Sequence, residues 1–89
     1  MWLARTVTLM NKYGLHARPA MLFAETAGRF TSDIAVVMGD RTVDGKSIME
    51  VMTLAAERGT ELVIKAQGKD ADAALDALER LVRENFEEV

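Results

Sequence analysis

The residues best able to do chemistry lie in one short run, Gly14-Leu15-His16-Ala17-Arg18-Pro19-Ala20, which holds the chain's only histidine and only proline with an arginine between them. Imidazole takes up and releases a group reversibly near neutral pH. The run falls where strand-like residues give way to helix-like ones, and a helix start offers unpaired N–H groups and the positive end of a dipole. A nucleophile, a guanidinium two residues on and an anion-holding helix start together point to phosphoryl chemistry. The guanidinium and the helix start both oppose added positive charge, and neutral imidazole is the nucleophilic form. After transfer the same two features would face a phosphoryl group of opposite charge, and the planar fork of arginine can give it two hydrogen bonds. Other uses of His16 fit less well. A metal site would need a second histidine or a cysteine, and the chain has neither. A hydrolytic triad would need a serine and an orienting acid in reach, which the sequence does not show. The plain alternative is a polar residue bordering a helix.

A second constellation is Ser47-Ile48-Met49-Glu50, the Ser-x-x-Glu form of a capping box. Capping alone accounts for Ser47. Ile48, Met49 and Met52 share one face of the short helix that follows. They serve either as core or as an exposed, adaptable docking patch, a use to which methionine is suited.

Hydropathy patterning supplies the elements that must hold these residues. Leu3, Val7 and Leu9 against Thr6 and Thr8 predict a half-buried strand over 3–9. The alanine-rich stretch 17–27 predicts a helix, with Pro19 in its first turn and Gly28 just past its end. Ile34–Met38 is a second strand, Gly39-Asp40 a hairpin turn, and Arg41–Val43 a short third strand. Asp44-Gly45-Lys46 breaks the pattern before the Ser47-capped helix, which runs toward Leu54 or Ala56. Leu62, Ile64 and Ala66 mark a fourth strand over 61–67. Asp70 caps a last helix to about Asn85, with Ala71, Ala74, Leu75, Leu78, Leu81 or Val82, and Phe86 on one stripe. The order is βαββαβα. Each strand has one apolar face and one mixed face (Thr6, Thr8, Val37, Lys65), so an antiparallel sheet covered by helices on one side only is expected. The predicted fold is α+β, an open-faced sandwich of four strands and three helices, in a single domain over 1–89.

Composition bounds the partners. A net charge of −3 at pH 7 argues against a nucleic-acid binder, which needs a basic face. Apolar residues at 49% and charged ones at 28% indicate a folded domain, not a disordered one. There is no cysteine, no signal-like N-terminus and no apolar run near the roughly 20 residues that span a bilayer, so a cytoplasmic protein without membrane insertion is expected.

Gly14-Leu15-His16-Ala17-Arg18-Pro19-Ala20, followed by Lys46-Ser47-Ile48-Met49 with Val51-Met52 close behind, resembles the histidine-containing phosphocarrier (HPr) family of the bacterial phosphoenolpyruvate-dependent sugar phosphotransferase system. The likeness covers nearly the whole chain, and two motifs at the family's mutual spacing make it specific. It implies the same open-faced βαββαβα sandwich. It further implies that His16 accepts a phosphoryl group on Nδ1 from phosphorylated enzyme I and passes it to sugar-specific IIA domains. Arg18 would position the group, and the backbone N–H groups of Ala17 and Arg18 would cradle it. The protein would then be a cofactor-free, monomeric carrier with a covalent phosphohistidine, not an enzyme. The resemblance also makes Ser47 the regulatory serine modified by an HPr kinase/phosphorylase, and makes Met21, Ile48, Met49 and Met52 a docking surface. A phosphate of about −1.5 to −2 charge at a helix start is tolerated by a fold yet opposes a partner docking beside it. Two features depart from the family. Glu25 and Gly28 stand where some members carry lysines, which leaves Arg18, Arg29 and Lys46 as the local cations, and Tyr13 stands where a small polar residue is common. Two other outputs fit the resemblance: a relay of a regulatory, nitrogen-type branch, and an interaction module in which His16 is incidental, as in members that lack the histidine and act through the serine.

Overall fold

In the computed structural model, which describes residues 1–88, strands and helices follow in the expected order: β1 (Leu3–Thr8), α1 (Ala17–Gly28), β2 (Asp33–Met38), β3 (Arg41–Asp44), α2 (Ile48–Thr53), β4 (Glu61–Gln67) and α3 (Ala71–Arg83), closed by a 3-10 turn over Asn85–Glu87. The four strands form one antiparallel sheet in the order β1-β4-β2-β3. Its register aligns Arg5, Ile64, Val36 and Val43 across all four strands on one face. The next row, Thr6-Val63-Val37-Thr42, lies on the other.

That alternation decides which side is covered. Ile34, Val36, Leu62, Ile64 and Ala66 are buried, whereas Ala35, Val37, Val63 and Lys65 stay half-exposed. The helices lie on the first side only, so the architecture is an open-faced α+β sandwich. α1 buries Pro19, Ala20, Phe23, Ala24 and Ala27, and α3 buries Ala71, Ala74, Leu75, Leu78, Leu81 and Val82, in each case at helical spacing.

Several element ends differ from the sequence expectation. β1 stops at Thr8, although Leu9 is fully buried and its N–H donates to the Thr60 carbonyl at 2.9 Å. α1 includes Gly28, and Arg29 is the capping residue, its N–H directed at the Ala27 and Thr26 carbonyls. α2 ends at Thr53. α3 ends at Arg83, so Phe86 is not the last residue of its stripe. The chain instead turns through left-handed φ values at Asn85 (55°), Phe86 (55°) and Glu87 (63°), which carries the Phe86 ring into the core. Asp70 stands at the cap position of α3 but does not cap it. Its carboxylate accepts from the N–H groups of Thr31 and Ser32 and from the Ser32 hydroxyl. The Ser32 hydroxyl and the Thr31 N–H hold that carboxyl down to about 2.

Arg5 is a charged residue on the helix-facing side of edge strand β1, a role its sequence neighbourhood does not signal. Its guanidinium donates to Asp76 and Glu79 of α3, each at 2.9 Å, with Asp72 at 3.8 Å. These contacts, Asp76 first, hold it still more firmly protonated. No helix among the described residues is long and apolar enough to cross a membrane.

Candidate functional site

The loop before α1 is tied down by contacts that only a particular backbone allows. Gly14 has a φ of +63°, and a Cβ there would sit 2.1 Å from the Ala56 carbonyl oxygen. Only glycine tolerates both the conformation and the approach. The neighbouring Leu15 N–H then donates to that same carbonyl at 2.8 Å, and the Leu15 side chain is buried. Asn11, itself buried, donates from Nδ2 to the Gly14 carbonyl at 2.7 Å and accepts from the Gly14 N–H through its own carbonyl. His16 therefore emerges from an anchored turn.

His16 is the N-cap residue of α1, with extended backbone (φ −76°, ψ −173°), and its side chain makes no capping bond. Its carbonyl accepts from the Ala20 N–H at 3.0 Å. Pro19 has no N–H, so of the four positions at this helix start only His16, Ala17 and Arg18 carry an N–H left without an intrahelical partner, the last two within the helix itself. The imidazole is 40% exposed, and its Nε2 lies 3.0 Å from Oε2 of Glu88. The Tyr13 ring meets it edge-on, with centroids 5.8 Å apart and planes at 89°. Lys12 in turn sits over Tyr13, its Nζ 5.2 Å from the ring centre. Lys12, Tyr13, His16, Arg18, Glu87 and Glu88 line an open depression of about 430 Å³. Arg18, one residue into the helix, is exposed.

The carboxylate that meets the His16 ring is that of Glu88, 72 positions away in the chain. The sequence reading missed Asn11 and Glu88, and it did not anticipate the contact of Gly14 with Ala56. No local pattern marks Glu88 or Asn11, because their partners are set by the tertiary fold.

Ser47 is the N-cap of α2, its Oγ accepting from the Glu50 N–H at 3.1 Å. The return half of the capping box is diverted: the Glu50 carboxylate accepts from the Asp44 N–H instead. On α2 the core side belongs to Val51 and Leu54, which are buried. Ile48, Met49 and Met52, with Met21 of the adjacent α1, are between 40% and 75% exposed, so they are not core. Of the three local cations, Arg29 pairs with Glu25 at 3.4 Å and the Lys46 ammonium donates to the Phe30 carbonyl at 2.8 Å, near the end of α1. Among the described residues no cluster of side chains suits a metal ion.

An exposed histidine at the start of a helix over an open-faced sheet agrees with the phosphocarrier class that the sequence resembles. Residues 3–84 match the family model described as the PTS HPr component phosphorylation site. The phosphocarrier protein HPr of Treponema pallidum is 48% identical over 84 residues, covering 94% of this chain and 96% of its own. The HPr-like protein Crh of Bacillus subtilis is 48% identical over 78 residues, covering 88% and 92%. A crystal structure of HPr from Thermoanaerobacter tengcongensis superposes with a TM-score of 0.94 at 40% identity, covering 98% of each chain. A second structure of HPr from that organism is a dimer and superposes at 0.79 with 41% identity, covering 92% and 94%. The chain belongs to the HPr family of phosphotransferase-system phosphocarriers.

Proposed function

We propose that His16 accepts a phosphoryl group on Nδ1 from phosphorylated enzyme I and passes it to sugar-specific IIA domains. The observation that carries this reading is the exposed His16 ring at an uncapped helix start, with Nε2 already engaged by Glu88 and the N–H groups of Ala17 and Arg18 beside it. The lone pair of Nδ1 is then the nucleophile, and those two N–H groups with the Arg18 guanidinium hold the phosphoryl oxygens. The protein acts as a monomeric, single-domain, cofactor-free carrier in the cytoplasm, not as an enzyme with turnover of its own. Met21, Ile48, Met49 and Met52 form the apolar surface on which its partners dock, an exposure that core packing does not require.

Ser47 acts as a second, regulatory acceptor for an HPr kinase/phosphorylase. Its hydroxyl caps α2 next to Ile48 and Met49, so a phosphate there places charge beside the apolar surface and opposes docking. The test is incubation with phosphoenolpyruvate and enzyme I. The wild-type chain gains one acid-labile phosphate, His16→Ala gains none, and Ser47→Asp gains it more slowly. An acid-labile phosphate on His16→Ala would remove the reading. Subsequent transfer to sugar-type and regulatory-type IIA proteins separates the two outputs.

A further inference from the structure

Glu88 lies beyond residues 3–84 that match the family model, yet it makes the one side-chain hydrogen bond formed by the His16 ring among the described residues. We infer that Glu88 is a positioning residue for phosphoryl transfer: its carboxylate holds the proton on Nε2, presents Nδ1 as the lone pair and offsets the positive charge the ring gains when phosphorus bonds to Nδ1. This rests on the carrier reading above.

The geometry is specific. Oε2 lies 3.0 Å from Nε2, and the Glu88 side chain is only 23% exposed. The segment that presents it is not a loose end. Phe86, two residues earlier, is fully buried, and the left-handed backbone from Asn85 to Glu87 turns the chain back so that Glu88 meets the start of α1. Edge-on contact from Tyr13 restricts ring rotation from another side. The titratable and charged groups facing the imidazole are Lys12 and Tyr13 from the preceding loop, Arg18 from α1, and Glu87 and Glu88 from the terminal segment. Of the two carboxylates, only Glu88 bonds the ring.

The chemistry follows from the electron count. The Nδ1 lone pair attacks phosphorus while the P–N bond of a phosphohistidine donor breaks, its electron pair leaving with the donor imidazole. No proton leaves Nδ1, because it carries none, so the ring becomes a phosphoimidazolium whose Nε2–H stays shared with Glu88. Onward transfer reverses this: the Nδ1–P pair returns to nitrogen, again with Nε2 protonated. A carboxylate at Nε2 therefore favours the transition state for phosphorylation, where positive charge builds on the ring, and stabilises the phosphoimidazolium further still. It thus slows spontaneous hydrolysis, in which the ring gives up that charge as the same bond breaks.

The experiment uses the full chain, labelled with ¹⁵N for ring nitrogen spectra, in wild-type, Glu88→Ala, Glu88→Gln and Glu88→Asp forms with thermal melting as the fold control. The wild-type ring sits in the Nε2–H tautomer, and Glu88→Ala populates both tautomers. A charge-assisted hydrogen bond between partly exposed groups scales to an effect of about three- to tenfold. Glu88→Gln therefore slows phosphorylation by enzyme I and shortens the life of the isolated phosphohistidine by about that factor, and Glu88→Asp recovers part of each. Unchanged tautomer populations and rates overturn the inference. So does slower transfer with unchanged hydrolysis, which would put Glu88 in partner docking instead. If the wild-type chain takes up no phosphate at all, the carrier reading has failed and this inference falls with it.

Discussion

Gly14 shows how much of the site rests on a residue that does no chemistry. Its missing Cβ lets the loop press against the Ala56 carbonyl, and the Leu15 N–H that bonds there fixes where His16 leaves the loop. In Gly14→Ala the new methyl group meets that oxygen in a backbone conformation alanine resists. The variant is expected to lose more than about 3 kcal/mol of stability, read from denaturant unfolding. The protein that still folds should accept phosphate more slowly, because the anchored turn must open. Asn11 belongs with it: buried and bonded to the Gly14 carbonyl, it holds the loop from the other side.

Elements bring those residues together from distant parts of the chain. α1 supplies His16 at its mouth and Arg18 in its first turn, and the segment after α3 supplies Glu88. The last of these depends on one side chain. Phe86 holds a backbone conformation unusual for a bulky residue, which is kept because its ring fills the core. Phe86→Ala is expected to cost about 3–5 kcal/mol and to release the terminal segment. The His16 tautomer should then shift as it does in Glu88→Ala, which ring nitrogen spectra of the remaining folded protein would detect.

On the scale of the whole molecule, two polar clusters fasten α3 to the rest. Arg5 joins its flank to edge strand β1 through Asp76 and Glu79, and Asp70 joins its start to the loop before β2 through Thr31 and Ser32. Asp70 gives a pH dependence of definite sign. Its folded-state value is lowered from 3.8 to about 2, so its contribution is fully present above about 4 and is lost as the pH falls toward 2. Asp70→Asn should melt at a lower temperature than wild type at pH 7. The gap should narrow on acidification through that window, as thermal melts at stepped pH would show. A gap of constant size from pH 7 to pH 2 would contradict the assignment.

Local order, and the place of His16 at a helix start, were legible in the sequence. Alternation fixed which strand residues face the helices, helical spacing fixed the core stripes of α1 and α3, and the run from Gly14 to Ala20 marked the exposed histidine proposed as acceptor and the helix start that presents it. These are short-range signals, carried by neighbours within one or two turns. What pairs with what across the fold was decided only by tertiary structure. Glu88 meets His16 across 72 positions, Asp70 turns away from its own helix to Ser32 38 positions back, and Arg5 finds acids more than 70 positions ahead. The same carboxylate on a helix cap or a chain end has several stereochemically open partners, and only the packing of α1, α3 and the sheet selects one. The helical stripe likewise marks Phe86 as apolar. That it reaches the core by a left-handed turn after the helix, and so brings Glu88 to the imidazole, is a consequence of how the layers close.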